Sequence, residues 1–532
     1  MSAKYLRLSI GLEVVARHVR AALLPVFLVC FATLAGAQSF RVQCPTRTAL
    51  HPTPPGGVVD PLSGDPLYTG PTTLSPTITP QGGAAPFKLS YVTNGGAIKC
   101  QEISGGDGFM TEADGNQTFL FGFGPLSGLG LIQSGLPGTQ LAADFNKPYN
   151  SPYLDLAQTK PDPTYDLNRG INVDGAITQP AEMMNIGVMN ANIPAPLMAI
   201  DEDDEFFLTL TNVGMIMRPD LFEQHTVHFH GYPNASSFFD GVPDASVAIN
   251  IGGSFTYYYL APDAGTYFWH CHITPPEHLQ MGMVGQLYVR PRQNRVPSGT
   301  DLFTAFQWQQ KDLRTQCITS SDILCATPPP VSDNGFTQGT NGYTRYAYND
   351  GDGSTRYDVE LPIQIHGFDP NFHFVGMTFN PEGFADMKDK YFLLNGRSYP
   401  DTVNTSYITT AGSDGIQRPS QPLPATLTLK RGQRALLRIS DLDVTEYQTL
   451  ATLGIPMQVI ALNARLLRDQ AGNNLYYSTN SITLAGGESL DVILDTTNVL
   501  PGTYFLYTPQ VDHLSNDAEN FGGLMTEINV VQ

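Results

Sequence analysis

The fold is decided by one stretch, Gly265-Thr-Tyr-Phe-Trp-His-Cys-His-Ile-Thr-Pro-Pro-Glu-His-Leu-Gln-Met-Gly-Met283. Its pattern predicts a strand that ends near Cys271 and then turns into a loop. A partner strand is predicted upstream, at His225-Thr-Val-His-Phe-His-Gly231. Six of the chain's 11 histidines lie in these two stretches, together with one cysteine and two methionines.

Side chains on a strand point alternately to its two faces. The two histidines that flank Cys271 therefore share one face, and Cys271 points to the other. His228 and His230 share a face in the same way. His225 stands an odd number of steps from them, so it points with Cys271. The spacing thus sorts the metal-binding side chains into an inner and an outer group.

The loop after Cys271 is expected to return a histidine and a methionine toward the inner group. Two imidazoles, one thiolate and a weak axial thioether form the ligand set of a blue-copper, or type 1, site. A zinc site and a buried cysteine among surface histidines are the alternatives, but an axial methionine serves no purpose in a zinc site. We call these ligands the inner set: His225, Cys271, His278 and Met283.

Four imidazoles remain on the outer face, and they predict a second metal centre. A solvated surface is the alternative, but two interlocking pairs beside a copper thiolate favour metal binding. We call these residues the outer set: His228, His230, His270 and His272.

The two histidine motifs, with Asp240-Gly-Val-Pro243 between them, resemble those of the multicopper oxidases, the cupredoxin-fold family that includes laccases. The resemblance is strong over residues 186–292 and weaker toward the C-terminus. It implies that the inner set binds type 1 copper and that the outer set belongs to an oxygen-reducing copper cluster. It also implies that His270, Cys271 and His272 carry electrons between the two.

The sequence departs from the family pattern in two respects. The step from Cys271 to His278 is seven residues where the family has five, and the insertion includes Pro275-Pro276, which should stiffen the loop. The family's cluster uses eight histidines, whereas the outer set supplies four. Four other histidines lie beyond the two motifs and the signal-like N-terminus, and none is in a His-x-His pair: His51, His366, His373 and His513.

Copper nitrite reductases are similar in build and suggest a second interpretation. They place a cross-subunit histidine near the position of His513, which implies a mononuclear site at the interface of a homotrimer. They need an aspartate where this chain has His228. A third interpretation is a blue-copper electron carrier or copper-binding protein without catalysis. His366 and His373 are predicted to be ordinary strand or loop residues.

Composition limits the possible classes of protein. The 532 residues are 41% hydrophobic and 15% charged, with 51 Gly and 41 Pro, which is typical of a turn-rich globular β protein. The formal net charge of −20 argues against nucleic acid as a partner.

Residues 1–37 read as a secretory signal peptide. Basic residues precede the apolar run from Ala21 to Leu34, and Ala35-Gly-Ala37 supplies a small-residue cleavage site. No later segment is apolar for long enough to span a bilayer. We therefore expect a mature chain from about Gln38 that is exported to the periplasm or the cell exterior.

Exported chains favour disulfide bonds. Once the signal's Cys30 and the inner set's Cys271 are set aside, four cysteines remain. The simplest pairing is Cys44 with Cys100 and Cys317 with Cys325, although sequence alone leaves the connectivity open.

The predicted fold is all-β, with tandem cupredoxin-like Greek-key β-sandwiches and an irregular β-rich N-terminal extension. Pro501-Gly-Thr-Tyr-Phe-Leu-Tyr507 parallels the strand before Cys271 but continues as Thr-Pro, so only the first sandwich should hold type 1 copper. The predicted units are an extension at 38–182, a first cupredoxin domain at 183–295, a connector at 296–355 and a second domain at 356–532.

These expectations combine into one function, that of an exported copper-dependent oxidoreductase. A small reductant, either a phenol or a reduced metal ion, would give electrons to type 1 copper, and oxygen would be the acceptor at the second centre.

Overall fold

The structure is a computed structural model. It describes residues 42–48, 51, 77–78, 87–88, 97–147, 149, 165–166, 171–172, 175–232, 236–261, 263–295, 301–304, 325, 327, 345–376, 383–469 and 472–532. The signal peptide predicted at residues 1–37 lies outside these ranges, as does most of the connector. Among the helices described, none has the length and apolar character needed to cross a membrane.

The described chain is built mainly of strands, which confirms the predicted all-β class. The strands are, in chain order, β1 Thr77–Ile78, β2 Phe87–Lys88, β3 Ile98–Thr111, β4 Gln117–Pro125, β5 Gln140–Leu141, β6 Tyr165–Asp166, β7 Ile171–Asn172, β8 Met198–Asp201, β9 Glu205–Gly214, β10 His228–Phe229, β11 Ser254–Leu260, β12 Gly265–His270, β13 Val284–Arg290, β14 Arg345–Tyr346, β15 Arg356–Tyr357, β16 Val359–Phe368, β17 Tyr391–Leu394, β18 Ile408–Ala411, β19 Gln417–Ser420, β20 Leu427–Lys430, β21 Arg434–Asp441, β22 Gln448–Thr452, β23 Met457–Leu462, β24 Arg465–Leu466, β25 Tyr477–Thr479, β26 Ser481–Leu484, β27 Ser489–Asp495, β28 Gly502–Tyr507, β29 Ser515–Asn516, β30 Glu519–Asn520 and β31 Met525–Val531.

The helices of the described chain are short. The α-helices are α1 Leu129–Gln133, α2 Ala142–Phe145, α3 Pro180–Gly187, α4 Pro275–Met281 and α5 Pro370–Gly376. Single 3-10 turns occur at Ser237–Phe239, Arg292–Arg295, Phe384–Asp386, Asp401–Val403 and Val511–His513.

The first sandwich packs two sheets around one core. One sheet has the order β10-β12-β13-β8, and the other has the order β11-β9-β3-β4 with β5 beside β3. The inward side chains of both sheets form a single hydrophobic cluster that includes Phe123, Phe206, Leu208, Trp269 and Cys271. Cys271 of the inner set therefore lies in the core of this sandwich.

Three strands from the predicted N-terminal extension, β3, β4 and β5, belong to the first sandwich. β3 pairs in parallel with β9 and antiparallel with β4, so the sheet crosses the boundary that we predicted at residue 183. The sequence pattern does not predict β3, because several of its polar side chains are buried, among them Gln101, Glu102, Ser104 and Asp107. Hydrophobic alternation, the usual mark of a strand, is absent from it.

The second sandwich repeats the same plan. Its strands β20-β31-β28-β22-β26 form one sheet, and its larger sheet contains the run β27-β21-β16-β17. The parallel pair of β16 with β21 matches the parallel pair of β3 with β9. The predicted tandem arrangement is thus visible in strand order as well as in sequence.

The predicted bond between Cys44 and Cys100 is present and ties the N-terminal segment to β3. Cys325 is also disulfide-bonded, while its predicted partner Cys317 lies outside the described residues.

A buried ionic network joins the two sandwiches. The Glu360 carboxylate on β16 accepts hydrogen bonds from Arg438 Nε at 2.7 Å and from Arg290 Nη2, on β13 of the first sandwich, at 2.6 Å. Asp491 accepts a hydrogen bond from Thr266 of β12 at 2.6 Å. Burial alone would raise the pKa of Glu360, but the two arginines lower it to about 2.

Replacing Glu360 by glutamine should destabilise the protein by about 3–5 kcal/mol at pH 7, because Arg438 is left buried with an incomplete set of partners. The carboxylate's contribution is full above its ordinary pKa of 4.5 and is lost as pH falls toward 2. Thermal unfolding at several pH values should show the gap between wild type and Glu360→Gln closing on acidification. The exposed Glu519→Gln is the matched control, and a gap that stays constant with pH would contradict the expectation.

Candidate metal centres

The pairing of β10 with β12 sets the positions of both groups of predicted metal ligands. His228 lies opposite His270 and Phe229 lies opposite Trp269. Phe229 and Trp269 enter the core with Cys271, so the histidines beside them face the other way. The structure therefore separates the inner and outer sets by strand alternation.

The structure brings three members of the inner set together. One ligand atom from each of His225, Cys271 and His278 lies within 4.8 Å of the others, and His278 Nδ1 is 3.3 Å from Cys271 Sγ. All three residues are fully buried. The backbone N–H of Thr226 points at the sulfur, 3.4 Å away, which favours a thiolate there.

The donor atoms of the inner set fit a copper ion. Both ring nitrogens of His225 are buried and have no hydrogen-bond partner among the described residues. Leaving a buried polar group without a partner costs about 1–3 kcal/mol, and a bound metal ion would remove that cost. A thiolate with two imidazoles suits copper, although the role of these residues as copper ligands stays a prediction.

Met283 completes the predicted inner set. It is fully buried in the same cluster as Cys271, and its carbonyl oxygen accepts a hydrogen bond from the Cys271 N–H at 3.1 Å. Its own N–H donates to the carbonyl of His278 at 2.8 Å. These two backbone hydrogen bonds thus hold Cys271, His278 and Met283 close to one another.

The two extra residues after Cys271 form part of a helix where we expected a stiff loop. Pro275 and Pro276 occupy the first turn of α4, and His278 lies in the same helix. The helix is also tied to the second sandwich, because Gln280 Nε2 donates to Asp389 Oδ1 at 2.8 Å. The insertion therefore lengthens the segment without loosening it.

The groups around Cys271 favour its thiolate form. Burial would raise the pKa of Cys271, but the adjacent His278 and His225 lower it well below its ordinary value. Burial would lower the pKa of His278, but Cys271 and Glu223 raise it to about 9. Glu223 Oε2 lies 3.4 Å from His278 Nε2 with a quarter of its side chain exposed. The partly exposed Glu223 carboxylate therefore lies between the buried His278 ring and solvent.

The outer set also converges in the structure. His228, His230 and His270 each place a ring nitrogen within 4.8 Å of the others, and the Nε2 atoms of His230 and His270 are 2.9 Å apart. The ring centroid of His272 lies 4.8 Å from that of His228. Four imidazoles from one domain thus enclose a small common space.

Backbone contacts orient three of these rings toward the common space. His228 Nδ1 lies 2.7 Å from the carbonyl oxygen of Asp240, and His270 Nδ1 lies 2.6 Å from the carbonyl of Cys271. His230 hydrogen-bonds to the backbone of Gly487 in the second sandwich. With Nδ1 of His228 and His270 engaged in this way, Nε2 is the ring atom that each of them leaves for a metal.

Three of the outer rings are poised to be neutral. Burial lowers the pKa of His230 to about 4 and lowers that of His270 well below its ordinary value, and neighbouring imidazoles add to both shifts. Burial likewise lowers the pKa of His272. Neutral imidazoles are the form that binds metal ions.

An open pocket of about 380 Å³ lies beside the outer set, between the two sandwiches. His230 lines it together with Pro275 and Pro276 from the first sandwich and with Glu446 and Gly487 from the second. Small molecules can therefore approach the outer set from this side.

The other described histidines do not join either set within one chain. His366 lies on β16 and His373 on α5, both buried, with Nδ1 facing the carbonyl oxygens of Leu442 and Phe119 respectively. His51 pairs with Glu205 at 2.5 Å. His366 and His373 were both predicted to be strand or loop residues; His366 does lie on a strand, whereas His373 lies in a short helix.

His513 is buried in the second sandwich. Its Nδ1 lies 2.9 Å from Gln448 Oε1, and its Nε2 lies 2.9 Å from Glu446 Oε2. Both ring nitrogens thus have partners in the same chain, and the predicted cross-subunit role would require the ring to leave them.

Sequence reasoning missed two residues that shape the inner set. Glu223 carried no signal beyond its position two residues before His225. Gly105 lies on β3, and a Cβ added there would be 2.6 Å from His225 Cδ2. The absence of a side chain at Gly105 therefore makes room for the ring of His225, which only the three-dimensional packing reveals.

The chain is similar to known proteins over parts of its length. Two stretches match family models described as multicopper oxidase, residues 173–294 and residues 378–526. Laccase abr2 of Aspergillus fumigatus is 33% identical over 109 residues, which are 20% of this chain and 17% of that protein. Copper-containing nitrite reductase of Rhizobium meliloti is 33% identical over 109 residues, covering 20% and 26%. The chain thus spans well under a third of the length of these curated relatives.

Among solved structures, blue copper oxidase from Nitrosomonas europaea matches with a TM-score of 0.45 and 18% identity, covering 81% of this chain and 85% of that one. The multicopper oxidase mgLAC matches with a TM-score of 0.46 and 16% identity, covering 81% and 86%.

Replacing Gly105 by alanine should lower the copper affinity of the inner set about tenfold, equivalent to about 1.4 kcal/mol, because overpacking a buried site costs ~1–3 kcal/mol. Copper titration followed by the blue thiolate absorption measures this. Gly502→Ala is the matched control, since its added Cβ would have no neighbour closer than 3.8 Å. Equal affinities in the two variants would show that the ring of His225 moves freely.

Proposed function

Because the chain belongs to the multicopper oxidase family, we propose that it is a copper-dependent oxidoreductase that oxidises a small reductant at the inner set. It passes the electrons to the outer set, where molecular oxygen accepts them. The observation that carries the proposal is the placement of the two sets on opposite faces of one strand pair, with Cys271 between two histidines of the outer set.

Copper held by each set supplies one-electron redox chemistry. The chain holds the thiolate and imidazoles in fixed positions and connects the two sets through its backbone. Cys271 is joined by peptide bonds to His270 and His272, so the path from the inner to the outer set is covalent and short. These three residues are the proposed electron path.

The surroundings of His278 favour a cationic reductant. The Glu223 carboxylate lies at the solvent edge of the imidazole, and His278 lowers the pKa of Glu223, which keeps it ionised. The chain carries a net charge of −20. A reduced metal ion therefore fits this edge better than a neutral phenol, which is the alternative reductant.

The outer set has four histidines where a full oxygen-reducing cluster of the family has eight. The remaining described histidines are buried elsewhere in the chain, so a single chain leaves the centre open on one side. We propose that a second copy of the chain closes it in a homotrimer.

Reduction of nitrite is the second candidate function. The similarity to copper-containing nitrite reductase of Rhizobium meliloti favours it, and it would place a mononuclear copper at the subunit interface with His513 from a second copy. His228, which stands where that chemistry needs an aspartate, weakens this candidate. A carrier with copper only in the inner set is the non-enzymatic alternative.

Export to the periplasm or the cell exterior is part of the proposal. The signal-like residues 1–37 support it, and so does the Cys44–Cys100 disulfide, since such bonds persist in oxidising compartments.

Copper counting with EPR tests the proposal on the copper-loaded full chain. We expect more than one copper per chain, separate type 1 and type 2 signals, and oxygen uptake with a reductant. Light scattering should give the mass of a trimer. Cys271→Ser should abolish the type 1 signal and oxygen uptake together while the type 2 signal remains. One copper per chain without oxygen uptake would identify a carrier, and turnover with nitrite alone would identify the second candidate.

Replacing Glu223 by glutamine should raise KM for a reduced metal ion about tenfold, which corresponds to about 1.4 kcal/mol of lost attraction, while KM for a neutral phenol changes little. Steady-state oxygen uptake with both reductants measures the difference. Glu519→Gln, an exposed carboxylate on β30, controls for net charge. Equal changes for the two reductants would rule out a cation-specific role.

A further inference from the structure

The two sandwiches can be aligned strand by strand from their hydrogen bonding. The sheet β10-β12-β13-β8 corresponds to β22-β28-β31-β20, and in each the last two strands are parallel. Gly265 pairs with Val289 as Gly502 pairs with Val530. This register gives every inner-set residue a counterpart in the second sandwich.

The sulfur-bearing strand fixes two of the counterparts. His270 corresponds to Tyr507, so Cys271 corresponds to Thr508. The Cys271 N–H donates to the Met283 carbonyl at 3.1 Å, and the Thr508 N–H donates to the Leu524 carbonyl at 3.0 Å. Leu524 therefore stands at the position of the axial methionine.

The remaining counterparts follow from the same backbone pattern. The Leu524 N–H donates to the His513 carbonyl at 3.0 Å, as the Met283 N–H does to the carbonyl of His278. His513 is thus the counterpart of His278. The pairing of His228 with His270 matches that of Ala451 with Tyr507, and three residues upstream His225 corresponds to Gln448.

The surroundings of the histidine are duplicated as well. Glu446 stands two residues before Gln448 and lies 2.9 Å from His513 Nε2, as Glu223 does beside His278. Phe392 on β17 stacks on His513 with ring centroids 3.8 Å apart. Phe121 on the matching strand β4 packs against His278 at 5.3 Å. The correspondence thus extends beyond the ligand positions.

We propose that Gln448, Thr508, His513 and Leu524 form a second type 1 copper position that has kept its scaffold and one ligand but lost the other three. The inference rests on the assignment of the inner set as type 1 copper. In the native chain the Gln448 amide replaces the metal as the partner of His513, with Oε1 2.9 Å from Nδ1. Its Nε2 donates to Asp443 Oδ2 at 2.6 Å, so the amide is held in place from both ends.

All four residues are buried, and three side-chain changes would give the position a copper-binding donor set. Gln448→His, Thr508→Cys and Leu524→Met would restore the two imidazoles, the thiolate and the thioether that suit copper. The step from Thr508 to His513 is five, the spacing that the family resemblance gives for this loop, whereas the step from His513 to Leu524 is eleven because β29 and β30 lie between them. His513 is therefore a type 1 counterpart and contributes no ligand to the outer set.

The decisive experiment builds these three changes into the full-length chain that also carries Cys271→Ser, so that the original blue centre is absent. We expect copper loading to restore an intense blue absorption and a type 1 EPR signal. A parity control carries Tyr507→Cys in place of Thr508→Cys, with the other changes kept. Its cysteine points to the opposite face of β28 and should give no blue centre.

Folding is checked separately by making the same three changes with Cys271 intact. Retention of the first domain's blue signal shows that the chain still folds and binds copper, and the second centre should then add one more copper per chain. A folded variant that gains no copper would overturn the inference and leave the proposed function untouched. A wild-type chain without any blue signal would instead refute the proposed function.

A second measurement tests His513 in the otherwise unchanged chain. His513→Gln should leave copper stoichiometry, both EPR signals and oxygen uptake unchanged, whereas His278→Gln should eliminate the type 1 signal. Loss of the type 2 signal in a folded His513→Gln trimer would overturn the inference and support a cross-subunit ligand.

Discussion

The antiparallel pairing of β10 with β12 is the constraint on which the rest of the molecule depends. A one-residue shift in this register would send Cys271 to the outer face and bring its flanking histidines into the core. The pairing of His228 with His270 prevents this, and Phe229 and Trp269 secure it by filling the core between the sheets. The separation of the inner set from the outer set thus arises from ordinary sheet geometry.

The same geometry explains how much of the site could be predicted from sequence. Alternation along two short segments sorted the inner set from the outer set, because residue parity on a strand does not depend on the remainder of the chain. The all-β class and the tandem plan were also visible, since Gly-Thr-Tyr-Phe occurs at both residue 265 and residue 502.

What could not be predicted depends on contacts between distant segments. The strand β3 carries buried polar side chains and several glycines, so its sequence pattern does not indicate a central strand. The place of Gly105 against His225 appears only when the two sheets are packed. His513 resembled a ligand for a second subunit because its sequence neighbourhood is similar to that of another enzyme class. Hydrogen-bond register, which a single sequence does not reveal, gives it a different counterpart.

The helix α4 has a consequence for the rigidity of the inner set. It bears His278, and the adjoining Gln280 binds Asp389 of the other sandwich, while the ring of His373 lies 2.8 Å from the Gln280 carbonyl. A side chain in a segment held from both sides keeps its position, which is what a precisely placed donor set requires. The second sandwich thereby acts as a mechanical support for the donor set of the first.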